Sequence, residues 1–318
     1  MTAEEVKGIL LGMASGQETL LGYFRRFIRN FEKRVGINRT VGSLRAYSNA
    51  YSHIERFLQA QYKLSDIPLS ALDRSFIDKY DLYLRTERNL APGTIINLTV
   101  QLKTIVGEAI ADGIITASPF MGYEPMRPKH VQKYLTAEEL HRIMTTPLHR
   151  QTLYHVRDMF LFSCFTGIPY GDMRLLTKDN LCLAEDGIWW IKSARQKTKI
   201  EFEIPLLDLP LQILKKYSGT APGDKLLPMY CNSSLNLYLI EIARICHIDR
   251  PLVFHAGRHT YATEITLSHG VPLETVSRML GHSQIETTQI YAKVTDEKID
   301  ADTKALNRKI SERFSVVI

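Results

Sequence analysis

Two stretches near the C-terminus decide the reading: HAGRHTYAT, residues 255–263, and LGHSQIETTQIYAK, residues 280–293. In the first, His255, Arg258 and His259 are spaced i, i+3, i+4, so on a helix they share one face. In the second, His282 stands nine residues before Tyr291. Upstream, Lys197 lies in the polar turn SARQKTK, residues 193–199, between two apolar runs, Ile188–Ile191 and Glu201–Ile204. Those runs read as strands, which places the lysine on a hairpin. Together these side chains suit transfer of a phosphodiester without a metal. A tyrosine oxygen can attack phosphorus and later leave again. An arginine grips two non-bridging oxygens and stays charged. A histidine accepts a phenolic proton near neutral pH. A hairpin lysine can hand a proton to a departing 5′ oxygen.

Around this core of motifs the remaining sequence is predominantly helical. Leu135–Leu140 (LTAEEL) carries Thr136 and Glu139 in capping-box spacing and starts a helix. Further helices are expected over 155–165, 173–176, 209–217, 233–247, 257–269, 272–280, 286–292 and 297–314, with Gly270 and Gly281 as stops. Before residue 116 the apolar spacing predicts four more, over 18–35, 41–62, 74–87 and 94–112. Short connections make them a helical bundle. The first carries Leu20, Tyr23, Phe24, Phe27, Ile28 and Phe31 inward. Its other face and the stretch up to residue 45 hold Arg25, Arg26, Arg29, Lys33, Arg34, Arg39 and Arg45, opposed by Glu32 alone. A field of one sign attracts polyanions, so Arg25, Arg26, Arg29, Lys33, Arg39 and Arg45 are candidate DNA contacts; a solvated helix face accounts for the charge equally well. Residues 116–133 (TASPFMGYEPMRPKHVQK) are rich in proline and basic side chains and read as a linker, on which Arg127 and Lys129 are further candidates for phosphate contact. The expected division is therefore a tail over 1–17, a helical domain over 18–115, the linker over 116–133 and a second domain over 134–318.

Composition narrows the function classes. The 318 residues are 45% hydrophobic and 23% charged, with 40 Lys and Arg against 34 Asp and Glu, an ordinary balance for a globular protein with a modest excess of positive charge. No run of about 18 apolar residues is present, which argues against a membrane span. The N-terminus lacks a basic n-region, which argues against a signal peptide. Cys164, Cys182, Cys231 and Cys246 form no CxxC pair, so neither a zinc knuckle nor a disulfide framework is expected, and a reducing cytoplasmic compartment fits. His255 and His259 at i, i+4 have the spacing of a zinc helix, yet no glutamate occupies the second motif position and no acidic third ligand stands out.

The motifs H-x-x-R-H-T-x-A-T, L-G-H and T-T-x-x-Y resemble, in order and spacing, those of the phage-integrase family of tyrosine recombinases, and the likeness extends over nearly the whole chain. The resemblance implies a fold that is mainly α with a small antiparallel β-sheet (α+β): a helical core-binding domain followed by a mixed α/β catalytic domain. It implies a site-specific recombinase that cuts and rejoins DNA through a 3′-phosphotyrosine link, with Tyr291 as nucleophile and Lys197, His255, Arg258 and His282 as its partners. No cofactor, metal or ATP is implied. The partners implied are double-stranded DNA and three further copies of the chain, passing through a Holliday junction on the nucleoid. About 17 residues precede the first helix, too few for the extra arm-binding domain of many integrases.

One position departs from the family. Its T-G-x-R turn carries a first phosphate-binding arginine; here Thr166-Gly167-Ile168 is followed by Pro169, which has neither charge nor donor. A clamp of that kind is worth roughly 10³–10⁵ in rate. The FTGxxYxD pattern resembles a subgroup from mobile elements of Bacteroides-like bacteria that also lacks this arginine. Arg157, twelve residues earlier on the preceding helix, and Arg174, just inside the next one, are candidate substitutes, and Arg157 is favoured for projecting across the same turn. Without a substitute the chain is instead a DNA-binding protein of the same fold with impaired catalysis.

Overall fold

The computed structural model describes residues 17–126, 133–291 and 296–311. The chain divides near residue 130 into two compact units. The first is built from α1 (Leu20–Glu32), α2 (Val41–Phe57), α3 (Arg74–Thr86) and α4 (Pro92–Ala111). Local chemistry sets where they begin. The Thr40 hydroxyl accepts from the Ser43 amide at 3.1 Å, Asp73 accepts from the Phe76 amide at 2.7 Å, and Pro92 starts α4 where its missing N–H costs nothing. The core is aromatic: Phe24, Phe57, Phe76 and Tyr80 are buried, with Phe57 edge-on to Phe76 at 5.3 Å between ring centroids. Each such side chain contributes about 1.5–3 kcal/mol by leaving water. The expected stripe on α1 is observed, with Leu20, Tyr23, Phe24 and Phe31 buried. α2 ends earlier than its apolar spacing suggests, because Leu58–Tyr62 forms a π turn before Lys63 adopts φ 58°.

The expectation of a linker over 116–133 needs correction. Phe120 and Tyr123 are buried in the first unit's core, the Tyr123 hydroxyl donates to Asp81 at 2.8 Å, and Lys103 and Arg74 donate to the Tyr123 and Met121 carbonyls. Proline and glycine content suggests a tether, but two aromatic rings are enough to seat the segment up to about residue 123 on α3 and α4. Arg127 and Lys129 lie outside the described residues.

The second unit comprises α5 (Ala137–Thr145), α6 (Gln151–Thr166), α7 (Tyr170–Met173), strands β1 (Leu181–Leu183), β2 (Trp189–Ala194) and β3 (Glu201–Pro205), then α8 (Asp208–Lys216), α9 (Asn232–Ile245), α10 (Ala256–Thr260), α11 (Leu273–Leu280), α12 (Glu286–Gln289) and α13 (Asp296–Ser311). The capping box starts α5 as expected, with Glu139 N donating to Thr136 Oγ1 and Thr136 N to Glu139 Oε2; Arg250 grips the same glutamate through both terminal nitrogens. α6 is buried around most of its circumference, with Leu153, Val156, Met159, Phe160, Phe162 and Cys164 in the core, and so forms the centre of the unit. The sheet is antiparallel in the order β1-β2-β3, and Ile191 on β2 faces Ile204 on β3. β1 is not expected from the sequence: three residues are too few to show a period. α10 continues not as a regular helix but through a π turn at Tyr261–Thr266 and a 3₁₀ turn that Gly270 closes at φ 81°.

Candidate active site

The site forms where two helices end. α6 stops at Gly167, which takes φ 69°, a conformation that favours glycine. A Cβ there would stand 2.5 Å from the Tyr261 ring and 2.8 Å from Leu280, so only glycine fits. α11 stops at Gly281, φ 64°. The carbonyls at these ends, Gly167 and Leu280, have no helical partner. Arg258 takes both: Nη1 donates to Gly167 O at 2.9 Å and Nη2 to Leu280 O at 2.7 Å. It reaches them because Gly257 lets α10 press against α6; a Cβ at 257 would meet Ser163 at 2.9 Å.

Arg258 is 3% exposed. Burial, and then the nearby Arg195 charge, push its pKa down to about 10, while Tyr291 and Asp172 oppose the shift. It therefore remains charged at neutral pH. Arg258 Nη2 also lies 2.8 Å from His282 Nε2, and His282 Nδ1 lies 2.8 Å from the buried Thr288 hydroxyl. Since a guanidinium only donates, Nε2 accepts, and the proton of the neutral ring sits on Nδ1 facing Thr288. Burial and then Arg258 lower the His282 pKa to about 4, which matches that neutral tautomer.

Tyr291 completes the cluster. It is 6% exposed and packs with Tyr261, Ala262, Val276 and Leu280. Its ring stacks parallel to His282 at 6.2 Å and meets His259 nearly edge-on at 5.0 Å. His259 in turn meets His255 at 5.0 Å. Burial, then His255, bring the His259 pKa down to about 4; His255 itself is exposed and shifted down, first by desolvation and then by Arg258.

The structure thus brings Arg258, His282 and Tyr291 together, with His255 reaching the tyrosine only through His259. Lys197 is exposed at the tip of the hairpin, whose turn is closed by Arg195 N to Ile200 O and Lys199 N to Arg195 O, both 2.8 Å, with Lys199 at φ 60°. Arg157 is not at the site, and its expected role is corrected. Its Nη1 donates to the Met144 and Thr146 carbonyls at 3.2 and 3.3 Å and its guanidinium lies over the Tyr154 ring, so it caps the end of α5. Sequence separation from Pro169 carries no direction, and the orphan carbonyls of α5 decide it. Arg174 is exposed.

Motif order misses two residues. One is His259, whose spacing suggests only a metal ligand and which is the histidine beside the phenol. The other is Arg195, two residues before Lys197. Arg195 Nη1 donates to the same Leu280 carbonyl at 2.8 Å, and its Nε lies 2.6 Å from Asp172 Oδ2. Asp172 belongs to the YxD part of the pattern that already marks this turn. Among the described residues no group of three or more His, Cys, Asp or Glu is placed to hold a metal ion.

In the helical unit the six candidate DNA contacts are all exposed. Arg25 donates to the Tyr51 hydroxyl, Arg26 pairs with Glu18 over the Tyr23 ring, and Arg39 lies over Phe31. Arg29, Lys33 and Arg45 form no ion pair among the described residues. Among the described residues no helix is long and apolar enough to cross a membrane.

Comparison with known proteins finds relatives for both units. Residues 19–125 match the phage integrase SAM-like domain. The tyrosine recombinase XerD of Listeria monocytogenes is 25% identical over 273 residues, covering 80% of this chain and 89% of that protein. The tyrosine recombinase XerC of Myxococcus xanthus is 26% identical over 267 residues, covering 77% and 84%. In fold, the chain is similar to the Tn1549 transposon integrase in complex with transposon right end DNA (TM-score 0.70, 18% identity, 91% of this chain and 99% of that one). It is also similar to a lambda integrase tetramer bound to a Holliday junction (TM-score 0.69, 17% identity, 88% and 80%). With residues 133–298 matching the phage integrase family, more than half of its length, the chain belongs to that family.

Proposed function

We propose that this protein is a site-specific DNA recombinase, and that Tyr291 forms a transient 3′-phosphotyrosine link. The observation that carries the reading is the enclosure of Tyr291 against the buried guanidinium of Arg258, between the rings of His282 and His259. The Tyr291 oxygen attacks the scissile phosphorus, and its proton passes to the neutral His255–His259 pair. The bond from phosphorus to the 5′ oxygen breaks, and Lys197 at the hairpin tip supplies the proton that oxygen needs. Arg258 holds the charge that builds on the non-bridging oxygens, and His282, accepting from its Nη2 through Nε2, keeps that guanidinium in place. A 5′ hydroxyl of another strand then reverses the steps, so the energy of the broken bond is kept in the aryl ester.

The exposed cations of the helical unit supply phosphate contacts that position the duplex without reading its sequence. Likeness to the integrase tetramer on a Holliday junction supports four copies acting together on DNA, and a DNA substrate would place them in the cytoplasm at the nucleoid. The test is a set of nicked duplexes tiled across the DNA that flanks the gene. A nick near the cleavage point lets the short 5′ fragment diffuse away and traps the adduct. Wild-type protein is expected to become covalently attached through Tyr291, and Tyr291→Phe to bind without attachment. Binding without attachment by the wild type would favour the second reading, a DNA-binding protein disabled by Pro169.

A further inference from the structure

We propose that Thr288 is a positioning residue of this enzyme: by fixing the tautomer of His282 it makes that histidine an anchor for Arg258, and it ties the seating of the nucleophile to the readiness of the clamp. The inference rests on the reading of Tyr291 as nucleophile. A neutral histidine beside a phosphate has two uses. With the proton on Nε2 it donates to a phosphate oxygen; with Nε2 bare it accepts. Here Arg258 Nη2 lies 2.8 Å from Nε2, and a guanidinium has only protons to offer. Both protons of Nη2 are then engaged, one on His282 and one on the Leu280 carbonyl. The ring proton must stay on Nδ1, the position that a free histidine side chain in water does not favour. Thr288 Oγ1, 2.8 Å from Nδ1, supplies the acceptor that reverses the preference.

The threonine is held where this bond needs it. Of the two threonines before the tyrosine, Thr287 is exposed and Thr288 is fully buried. A hydroxyl withdrawn from water needs a partner, and His282 is one. The Thr288 amide donates to Ile285 O at 2.7 Å, and the Tyr291 amide donates to Thr288 O at 3.0 Å. Thr288 and the nucleophile therefore belong to one hydrogen-bonded turn at α12. His282 belongs to the end of α11, where its amide donates to Ser277 O at 3.1 Å. The bond between hydroxyl and imidazole joins the two elements. When the turn that carries the phenol is seated, Nδ1 has its acceptor, Nε2 is free to accept, and Arg258 is held. When that turn is displaced, the histidine loses the bias and the clamp loses its anchor.

Thr288→Val tests the assignment, because it keeps the branched shape and removes the oxygen. Heteronuclear NMR of the ring nitrogens in the full chain at neutral pH should find His282 protonated on Nδ1 in the wild type and in Thr288→Ser. In Thr288→Val the proton should move to Nε2, a change that loss of packing alone does not produce. On the nicked duplex to which wild-type protein becomes attached, Thr288→Val is expected to slow adduct formation on the order of 10²-fold, and Thr288→Ser by about threefold or less. Thr287→Val should match the wild type in both measurements. A Thr288→Val protein that keeps its proton on Nδ1 overturns the proposal, as does one whose proton moves with no loss of rate. A gain in rate would identify His282 as a donor to the phosphate. Should Thr288→Val fail to fold, the wild type still decides, since a proton on its His282 Nε2 is incompatible with the proposal. Failure of wild type to form any adduct would instead remove the reading of Tyr291.

Discussion

Lowering the pH from 7.5 to 5 should destabilise the catalytic unit through two histidines that the fold keeps neutral. His259 and His282 both have their pKa pulled from 6.5 to about 4, chiefly by burial. Below pH 6.5 the unfolded chain takes up protons at these rings and the folded chain does not, so stability falls as pH falls and the loss is complete near pH 4. At pH 5 linkage gives about 2 kcal/mol for each ring, a large share of an ordinary stability of roughly 5–15 kcal/mol. Carboxylates enter in a lower window: Asp81 and Glu139, held down by arginine partners against their own burial, lose their contribution only as pH drops below their ordinary 3.8 and 4.5. The range 7.5 to 5 therefore isolates the histidines. The assay is urea unfolding followed by tryptophan fluorescence, because the protein's two tryptophans, Trp189 and Trp190, both lie in β2 and report on the second unit. The double variant His259→Gln, His282→Gln should make the slope shallower, the remainder coming from His155 and His255, which burial also shifts down. An unchanged slope in that variant, or wild-type stability that rises toward pH 5, would refute the reasoning.

Arg157→Ala should lower the stability of the second unit by about 1–3 kcal/mol, because the carbonyls that end α5 lose their donor. Adduct formation per folded molecule should stay near the wild-type rate, which a comparison of urea midpoint and trapping yield checks. Replacing Arg29, Lys33 and Arg45 by glutamine should weaken DNA binding by a similar factor on every sequence tried. The slope of log affinity against log salt should become shallower by about 3 if each contacts one phosphate. An unchanged slope in a filter-binding titration would identify these cations as a solvated face.

The signals legible in the sequence are those written in periodic or capping residues. The stripe on α1, the capping box of α5 and the glycine end of α11 all depend on side chains a few positions apart. The π turns at 58–62 and 261–266 are not legible, since an extra backbone residue leaves no mark in apolar spacing. Phe120 and Tyr123 are hidden because proline and glycine nearby suggest a tether, although two aromatics are enough to seat a segment. In the site, motif order identifies Arg258, His282 and Tyr291. It fails for Arg157 and Arg195 for one reason: both positions are settled by which orphan helix carbonyl the guanidinium reaches, a tertiary fact. The hairpin motif draws the eye to its lysine alone, although an arginine stands two residues away.

The partners of the two arginines differ in a way that bears on catalysis. A carboxylate beside a buried guanidinium would compensate its charge and leave little field for a phosphate. Arg258 is satisfied instead by backbone carbonyls at the ends of α6 and α11, where the partial negative charge of each helix C-terminus favours a cation. That support is strong enough to bury the group and too weak to cancel it: a pKa near 10 leaves Arg258 protonated roughly a thousandfold over at pH 7. Arg195, less buried, does take a carboxylate, and the cluster of Arg258, Arg195 and Asp172 keeps a net positive charge. Because Arg258 and the neutral His282 are fixed by backbone and by Thr288 before DNA arrives, little reorganisation remains for the moment when charge develops on phosphorus. An arginine at position 258 paired directly with Asp or Glu would keep the packing and give a much weaker clamp.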